Sequence, residues 1–336
     1  LVIVCWSVSF TVTLGTVVML TRVMNIRNQT TPRPVILLGF HVFYNLKIPL
    51  FLLILTLYCL TLIGNIIIIA LVSLSPTLHH PMFFFLSHLS LSDILLTTTI
   101  VPIMLCGILR GGVSISLAGC ITQLNFFCTG LASECYLLVV MSYDRYLAIC
   151  NPLRYMSIMN KKLRVQLVVL CWFLSFTILT RGTFAISRLN FCGPNIIDHF
   201  FCDFFPILQL SCSDTSAVEL EQILIAVPTV VMPVVFIVGT YICIFIAVLK
   251  IPSTSGRQKA FSTFSSHLSV VCIFFGSLIC LYVAPPSGNF LSTNKVVSVL
   301  YTVVTPLSNS IIYSLRNSEL RSAFKKHVNI YNICKM

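Results

Sequence analysis

Residues 48–72 read IPLFLLILTLYCLTLIGNIIIIALV, without a single charged side chain. About 20 apolar residues suffice for a helix to cross the hydrocarbon of a bilayer. Lipid offers no water to the backbone, so such a stretch must satisfy its own N–H and C=O groups, as a helix does. Further stretches of this kind lie at about 82–106, 118–143, 163–183, 219–249, 262–284 and 294–315, which makes seven spans. The joins carry breakers and polar residues: Ser75-Pro76, Gly111-Gly112, Asn151-Pro152, the run from Pro252 to Gly256, and Pro285-Pro286. The fifth stretch is longer than one bilayer thickness and is expected to project from it. No two halves look alike, which weakens a repeat-built transporter reading.

Composition agrees. Of 336 residues, 57% are hydrophobic and 9% charged, against about 25% charged in ordinary soluble domains; mean hydropathy is +0.98. A cytosolic enzyme and a disordered tail fit poorly. The net charge of +12 invites a nucleic-acid partner, but no basic groove with interleaved aromatics is present. Lys and Arg gather on the cytoplasmic side of membrane proteins. With the residues after Met24 outside, alternation puts 13 of the 21 Lys and Arg inside, among them Arg145, Arg154, Lys161, Lys162, Lys250, Lys259 and Lys326. Asp198, Asp203, Asp214, Glu219 and Glu221 fall outside. The amino end is therefore expected outside and the carboxyl end in the cytoplasm. The one glycosylation sequon, at Asn28, falls on the outer side.

The expected organisation is an all-α seven-transmembrane bundle. Residues 1–23 read as an apolar extension ahead of the fold, 24–47 as an extracellular amino terminus, 48–316 as the membrane domain, and 317–336 as a cytoplasmic helix and tail. In that last segment Leu320, Phe324 and Val328 fall on one face and Arg321, Lys325 and Lys326 on the other, the pattern of a helix lying on the inner leaflet.

Four cysteines, Cys120, Cys192, Cys202 and Cys212, fall on the oxidising outer side, and sequence leaves three pairings open. Asp93 and Glu134 lie deep in the second and third spans, where charge is costly. If both face the interior, they suit one shared proton or one small cation such as sodium. Asn65 and Asn309 add amides to the same polar cluster, which reads as a switch or as interhelical glue. Asp144-Arg145-Tyr146 falls at the inner end of the third span; on spacing alone it is an interfacial pair that sets helix depth. His267 sits where it can hydrogen-bond between helices. No nucleophile elbow or metal-ligand signature is present, so neither catalysis nor a metal site is expected.

Several strings together resemble the olfactory receptor branch of the rhodopsin-like G-protein-coupled receptors. They are Gly64-Asn65; Leu78 to Leu86 (LHHPMFFFL) with Leu89-Ser90 and Asp93; Met141 to Cys150 (MSYDRYLAIC); Lys259 to Thr263 with Ser266-His267-Leu268; and Pro306, Asn309 and Ile312 to Asn317 (IYSLRN). The resemblance implies a receptor for small odorants at the plasma membrane, coupled to a heterotrimeric stimulatory olfactory-type G protein that raises cyclic AMP. It implies the disulfides Cys120–Cys202 and Cys192–Cys212. It places a mostly apolar ligand chamber in the outer half, formed by Leu124, Phe127, Cys128, Leu131, Ala132, Ile225, Thr229, Phe275, Leu278, Ile279, Tyr282 and Thr302, with Phe204 as a lid. It assigns activation to Asp144, Arg145, Tyr146, Tyr241, Asn309 and Tyr313. Phe127 stands where amine receptors carry Asp, and the seventh span has no interior Lys, so amine and retinal ligands are not expected. One departure is Asn309-Ser310 where the family has Asn-Pro, with Ser308 in place of a Leu. A serine bends a helix less than a proline, so a signalling-defective copy is an alternative, as is a transporter.

Overall fold

A computed structural model describes residues 34–40, 46–250, 252–253, 257, 265, 267–278, 295 and 297–334. Asn28, residues 1–33, the Lys259–Thr263 string, Ile279 and Tyr282 lie outside them. The chain is a seven-transmembrane helical bundle. Helices α1 (Lys47–Leu74), α2 (Pro81–Arg110), α3 (Leu117–Cys150), α5 (Lys161–Ser187) and α7 (Ser216–Leu249) are each long and apolar enough to cross a membrane. The short α4 (Pro152–Ile158) and α6 (Phe204–Leu208) sit in the joins. The sixth span is described over α8 (His267–Leu278). The seventh is described from residue 297 and ends in α9 (Thr305–Arg316), with α10 (Ser318–Cys334) behind it.

Local chemistry sets the boundaries. Pro81 opens α2, where its missing N–H is harmless, and Gly111 closes it at φ +74° in the left-handed region. Ser116 caps α3 by accepting from the Gly119 amide at 3.0 Å, and Asn160 caps α5 by accepting from Leu163 at 2.9 Å. Asn317 Oδ1 accepts from the Glu319 and Leu320 amides at 2.9 and 3.2 Å, separating α9 from α10. The third helix runs seven residues past the expected end at 143, because nothing interrupts the pattern before Asn151-Pro152. Likewise α10 continues to Cys334, beyond the expected end near Val328.

Two spans change pitch. Val227–Val231 and Leu300–Val304 are π-helical turns, in which the amides of Met232 and Thr305 donate to the carbonyls of Val227 and Leu300, five residues back. Each donor is followed at once by a proline, Pro233 or Pro306. A proline ring has no N–H and clashes with the carbonyl four residues earlier, so the ladder shifts register by one residue at both places.

The third helix is the axis. Of its most apolar window 72% is buried, against 22% for α1 and α5 and 17% for α7. The outer helices instead expose Leu52, Ile63, Phe173, Leu224 and Val235 to lipid. Ser92 of α2 donates to the Gly130 carbonyl of α3 at 2.9 Å, and Asn125 donates to Thr183 of α5 at 2.8 Å. At the end of the bundle expected to face outward lies a feature absent from the sequence reading. Strand β1 (Val35–Leu37) pairs antiparallel with β2 (Val113–Ile115) and parallel with β3 (Ile196–Ile197), in the order β2-β1-β3. The structure forms the Cys120–Cys202 and Cys192–Cys212 disulfides, with Cα separations of 5.4 and 5.8 Å. The first ties the long loop to the top of α3.

Ser310 has a close neighbour. A Cβ built on Gly64 of α1 would stand 2.8 Å from Ser310 Oγ and 3.1 Å from its Cβ. The Ser310 hydroxyl also donates to the Leu307 carbonyl at 2.9 Å. Gly64→Ala should therefore overpack the α1–α9 seam and lower stability by about 1–3 kcal/mol. Adding Ser310→Ala should recover part of the loss. Thermal unfolding of the purified receptor in detergent measures both.

Candidate ligand chamber and inner coupling site

An aromatic cluster is built around Phe127 of α3. Its ring meets Phe201 edge-on at 5.2 Å and Tyr301 of the seventh span at 5.8 Å. The loop before α6 drives His199-Phe200-Phe201 into this space, and all three side chains are buried. Phe200 stacks on Phe40 at 5.1 Å, which couples the wedge to the segment after β1. Lys295, itself buried, donates to Asp198 Oδ1 at 2.6 Å and to the Gly39 carbonyl at 3.0 Å. One cation thus fastens the loop, the amino-terminal segment and the outer end of the seventh span.

Of the expected chamber residues, Phe127, Cys128 and Leu131 share a cluster with Phe200, Phe201 and Tyr301. Leu124 belongs to the adjoining outer cluster, where Cys128 and Phe204 also pack. Phe275 and Leu278 belong to the larger inner cluster, against which Leu131 also packs. Ala132 is buried one turn inward of Cys128. Thr229 and Thr302 are buried, one in each π turn. Ile225 leans on the fourth span, its Cδ1 2.9 Å from the position a Gly182 Cβ would take. Phe204 begins α6, where Asp203 Oδ1 accepts from its amide at 2.8 Å. Asp203 is a residue that the sequence reading did not place here. Its carboxyl lies within electrostatic reach of the Cys128 thiol. Burial raises it above the ordinary carboxylate value, and the Phe204 amide opposes the rise. Nor did that reading place Phe201 and Tyr301 against Phe127; Phe200-Phe201 stand beside Cys202 in the sequence, which was their one signal, and Tyr301 had none.

Deeper in the bundle, Asn309 donates to Asp93 Oδ1 at 3.0 Å. The buried Asp93 and Glu134 carboxyls lie within electrostatic reach of one another. Asn65 is buried as well, but its amide donates to the Thr61 carbonyl of its own helix at 3.0 Å. Among the described residues Asp93 Oδ2, Glu134 Oε1, Asn65 Oδ1 and Asn309 Oδ1 have no hydrogen-bond partner. Such a set of hard oxygen donors suits a shared proton or a sodium ion.

At the inner end of α3 Arg145 Nη2 pairs with Asp144 Oδ2 at 2.7 Å. Asp144 Oδ1 accepts from the Tyr155 hydroxyl of α4 at 2.8 Å. Asp144 is fully buried, so the pair does more than mark helix depth: a carboxylate removed from water needs both donors. Burial pushes the Tyr155 hydroxyl above its ordinary value. Tyr241 of α7 bonds His267 of α8, joining the fifth and sixth spans. Tyr146 stacks near Tyr143 at 6.4 Å, and Tyr313 is buried in the inner cluster.

The outer wedge has a titratable member. Burial holds His199 down at about 3, with the Lys295 ammonium adding to the effect and Asp198 opposing it. The unfolded chain would bind that proton near the ordinary histidine value of about 6.5. Stability is therefore whole above that value and falls by about 1.4 kcal/mol per unit as pH drops below it. Melting of the purified protein between pH 7 and 5 should show this loss. His199→Gln should lessen the dependence over that window.

Comparison with known proteins follows the same lines. The family profile described as olfactory receptor matches residues 54–330. Human olfactory receptor 11L1 is 44% identical over 303 residues, covering 90% of this chain and 94% of its own. Mouse olfactory receptor 5P81 is 44% identical over 306 residues, covering 91% and 98%. Rat olfactory receptor 1468 is 44% identical over 307 residues, covering 89% and 96%. With seven spans, an aromatic-capped outer cluster and a buried ion pair beneath, this chain belongs to the olfactory receptor family, a family of multi-pass membrane receptors and not of enzymes.

Proposed function

We propose that the chain is an odorant receptor of the plasma membrane, with its amino end outside and its carboxyl end in the cytoplasm. It binds small, mostly apolar odorants in the outer chamber and activates a stimulatory olfactory-type G protein, raising cyclic AMP. The observation that carries this reading is that one helix, α3, holds Phe127 in the outer aromatic cluster, Glu134 in the buried polar layer and Asp144-Arg145 at the inner end. A ligand that favours one arrangement of that helix's neighbours biases all three levels together.

Binding is driven by burial of apolar surface, worth about 25 cal/mol per Å². A ligand shifts the equilibrium only by its differential affinity for the active arrangement. In that arrangement the Arg145–Asp144 pair opens, the Tyr241–His267 link between spans five and six rearranges, and Arg145, Tyr241 and Tyr313 line the cleft for the G protein. Inner basic residues such as Lys250 border it. A proton or sodium ion held by Asp93 and Glu134 stabilises the resting form. Lipid solvates the exposed outer faces. The Asn309-Ser310 sequence favours a second reading, a receptor copy that binds but signals poorly, because the α9 backbone lacks a proline at that point.

Arg145→Ala should abolish odorant-evoked cyclic AMP in reporter cells, with the response normalised to measured surface expression. Undiminished signalling from that variant refutes the coupling role. Tyr282→Ala should shift odorant potency. A wild-type receptor that binds odorant at the surface without raising cyclic AMP would establish the second reading.

A further inference from the structure

Three residues of α3 reach the same short piece of the long loop. Cys120, Gln123 and Phe127 stand three and then four positions apart, the spacing that lines side chains up along one helix face. Cys120 bonds Cys202 covalently. Gln123 Oε1 accepts from the Cys202 amide at 3.0 Å. Phe127 meets the ring of Phe201, the residue just before Cys202, at 5.2 Å. Gln123 and Cys202 are both buried.

The other end of the Gln123 amide is engaged by the second span. Its Nε2 donates to the Thr99 carbonyl of α2 at 3.1 Å. Thr99 lies three residues before Pro102, which has no N–H and interrupts the hydrogen-bond ladder of α2. The Thr98 hydroxyl, one residue earlier, accepts from Tyr58 of α1 at 3.2 Å. The turn before Pro102 is thus braced from two neighbouring helices, and the brace from α3 is the residue that also holds Cys202. A disulfide fixes how far Cys202 lies from α3, whereas a hydrogen bond to its backbone amide also fixes how the Phe201–Cys202 peptide group is turned.

We propose that Gln123 is a positioning residue for odorant recognition: by holding the Phe201–Cys202 peptide against α3 and α2, it sets the Phe201 ring against Phe127. The assignment rests on the odorant-receptor reading above and adds to it a residue that acts through the loop, without touching the ligand. The role needs a side chain that accepts at one end and donates at the other, as a glutamine amide does. Without it the buried Cys202 amide and Thr99 carbonyl each lose a partner, and the loop samples other directions. A ligand must then select the recognising direction, and its apparent affinity is reduced by the fraction of the population that holds it. Loss of one ordinary hydrogen bond corresponds to about three- to tenfold.

The test uses the full-length receptor in cells reporting cyclic AMP, with each response normalised to surface expression measured by an amino-terminal tag. The probe is a panel of small alcohols, aldehydes, ketones and esters on aliphatic and aromatic skeletons. Gln123→Met, close in size but without the amide, should raise the half-maximal concentration of active odorants by about three- to tenfold and leave the maximal response in place. Phe201→Ala should raise it too, and Gln123→Met should add nothing further in that background, because both act through one ring. Unchanged potency in Gln123→Met overturns the proposal, as do fully additive shifts in the double variant. If the variants do not reach the surface, hydrogen–deuterium exchange of the purified wild type in detergent decides: the Cys202 amide should exchange slowly, and exchange at the rate of an exposed loop overturns the clamp. Silence of the surface-resident wild type to every member of the panel overturns the receptor reading and the role in recognition with it, while the exchange measurement still reports on the clamp itself.

Discussion

Inside a bilayer a peptide group has no water to bond to, and this constraint organises the whole molecule. An unpaired N–H or C=O costs several kcal/mol there. Among the described residues the helices meet that demand within themselves, and several of their breaks fall where another group compensates. Ser116, Asn160 and Asn317 cap helix starts with their own side chains. The prolines at 233 and 306 cannot donate, and the chain answers with π turns instead of an open gap. Where the backbone leaves the helical ladder on the outer side, the β2-β1-β3 sheet pairs it.

The same constraint explains the placement of charge. Among the described residues, those charges that lie deep are grouped on or beside α3 and arrive with company. Asp93 meets Asn309 and Glu134. Asp144 meets Arg145 and Tyr155. By contrast the Arg181–Glu221 pair on the outer edge, with the arginine side chain 82% exposed, contributes little to stability because water screens it. The receptor therefore keeps its costly electrostatics along its central helix, between the aromatic wedge above and the arginine below. A change in how α3 meets its neighbours is felt by every one of these groups.

The outer cap shows how several weak elements make one structure. Strand β1 is three residues long and could not persist alone. It is held by two strands from different loops, by the Phe40–Phe200 stack and by Lys295 reaching both Gly39 and Asp198. The Cys120–Cys202 bridge anchors the same loop to α3. These contacts converge on His199-Phe200-Phe201, so the aromatic wedge against Phe127 is held by residues far apart in the chain.

Much of this was legible in the amino-acid order. Twenty-five uncharged residues in a row admit one solution in lipid, so the seven spans, the buried Asp93 and Glu134, and the amphipathic final helix could be read directly. The ends of helices were less so: α3 runs to Cys150 because capping and breaking depend on the few residues at Asn151-Pro152, whereas hydropathy averages over many. Long-range pairing was not legible at all. Four outer cysteines allow several partners, and three short strands carry no periodicity strong enough to announce a sheet. The meeting of Ser310 with Gly64, of Lys295 with Asp198, and of Tyr301 with Phe127 likewise depends on how helices cross, which is a property of packed surfaces and not of any one segment. Local composition dictates where the chain must be helical, while the identity of neighbours across the bundle emerges when the helices pack, since that choice is made by shape and by the pairing of buried polar groups.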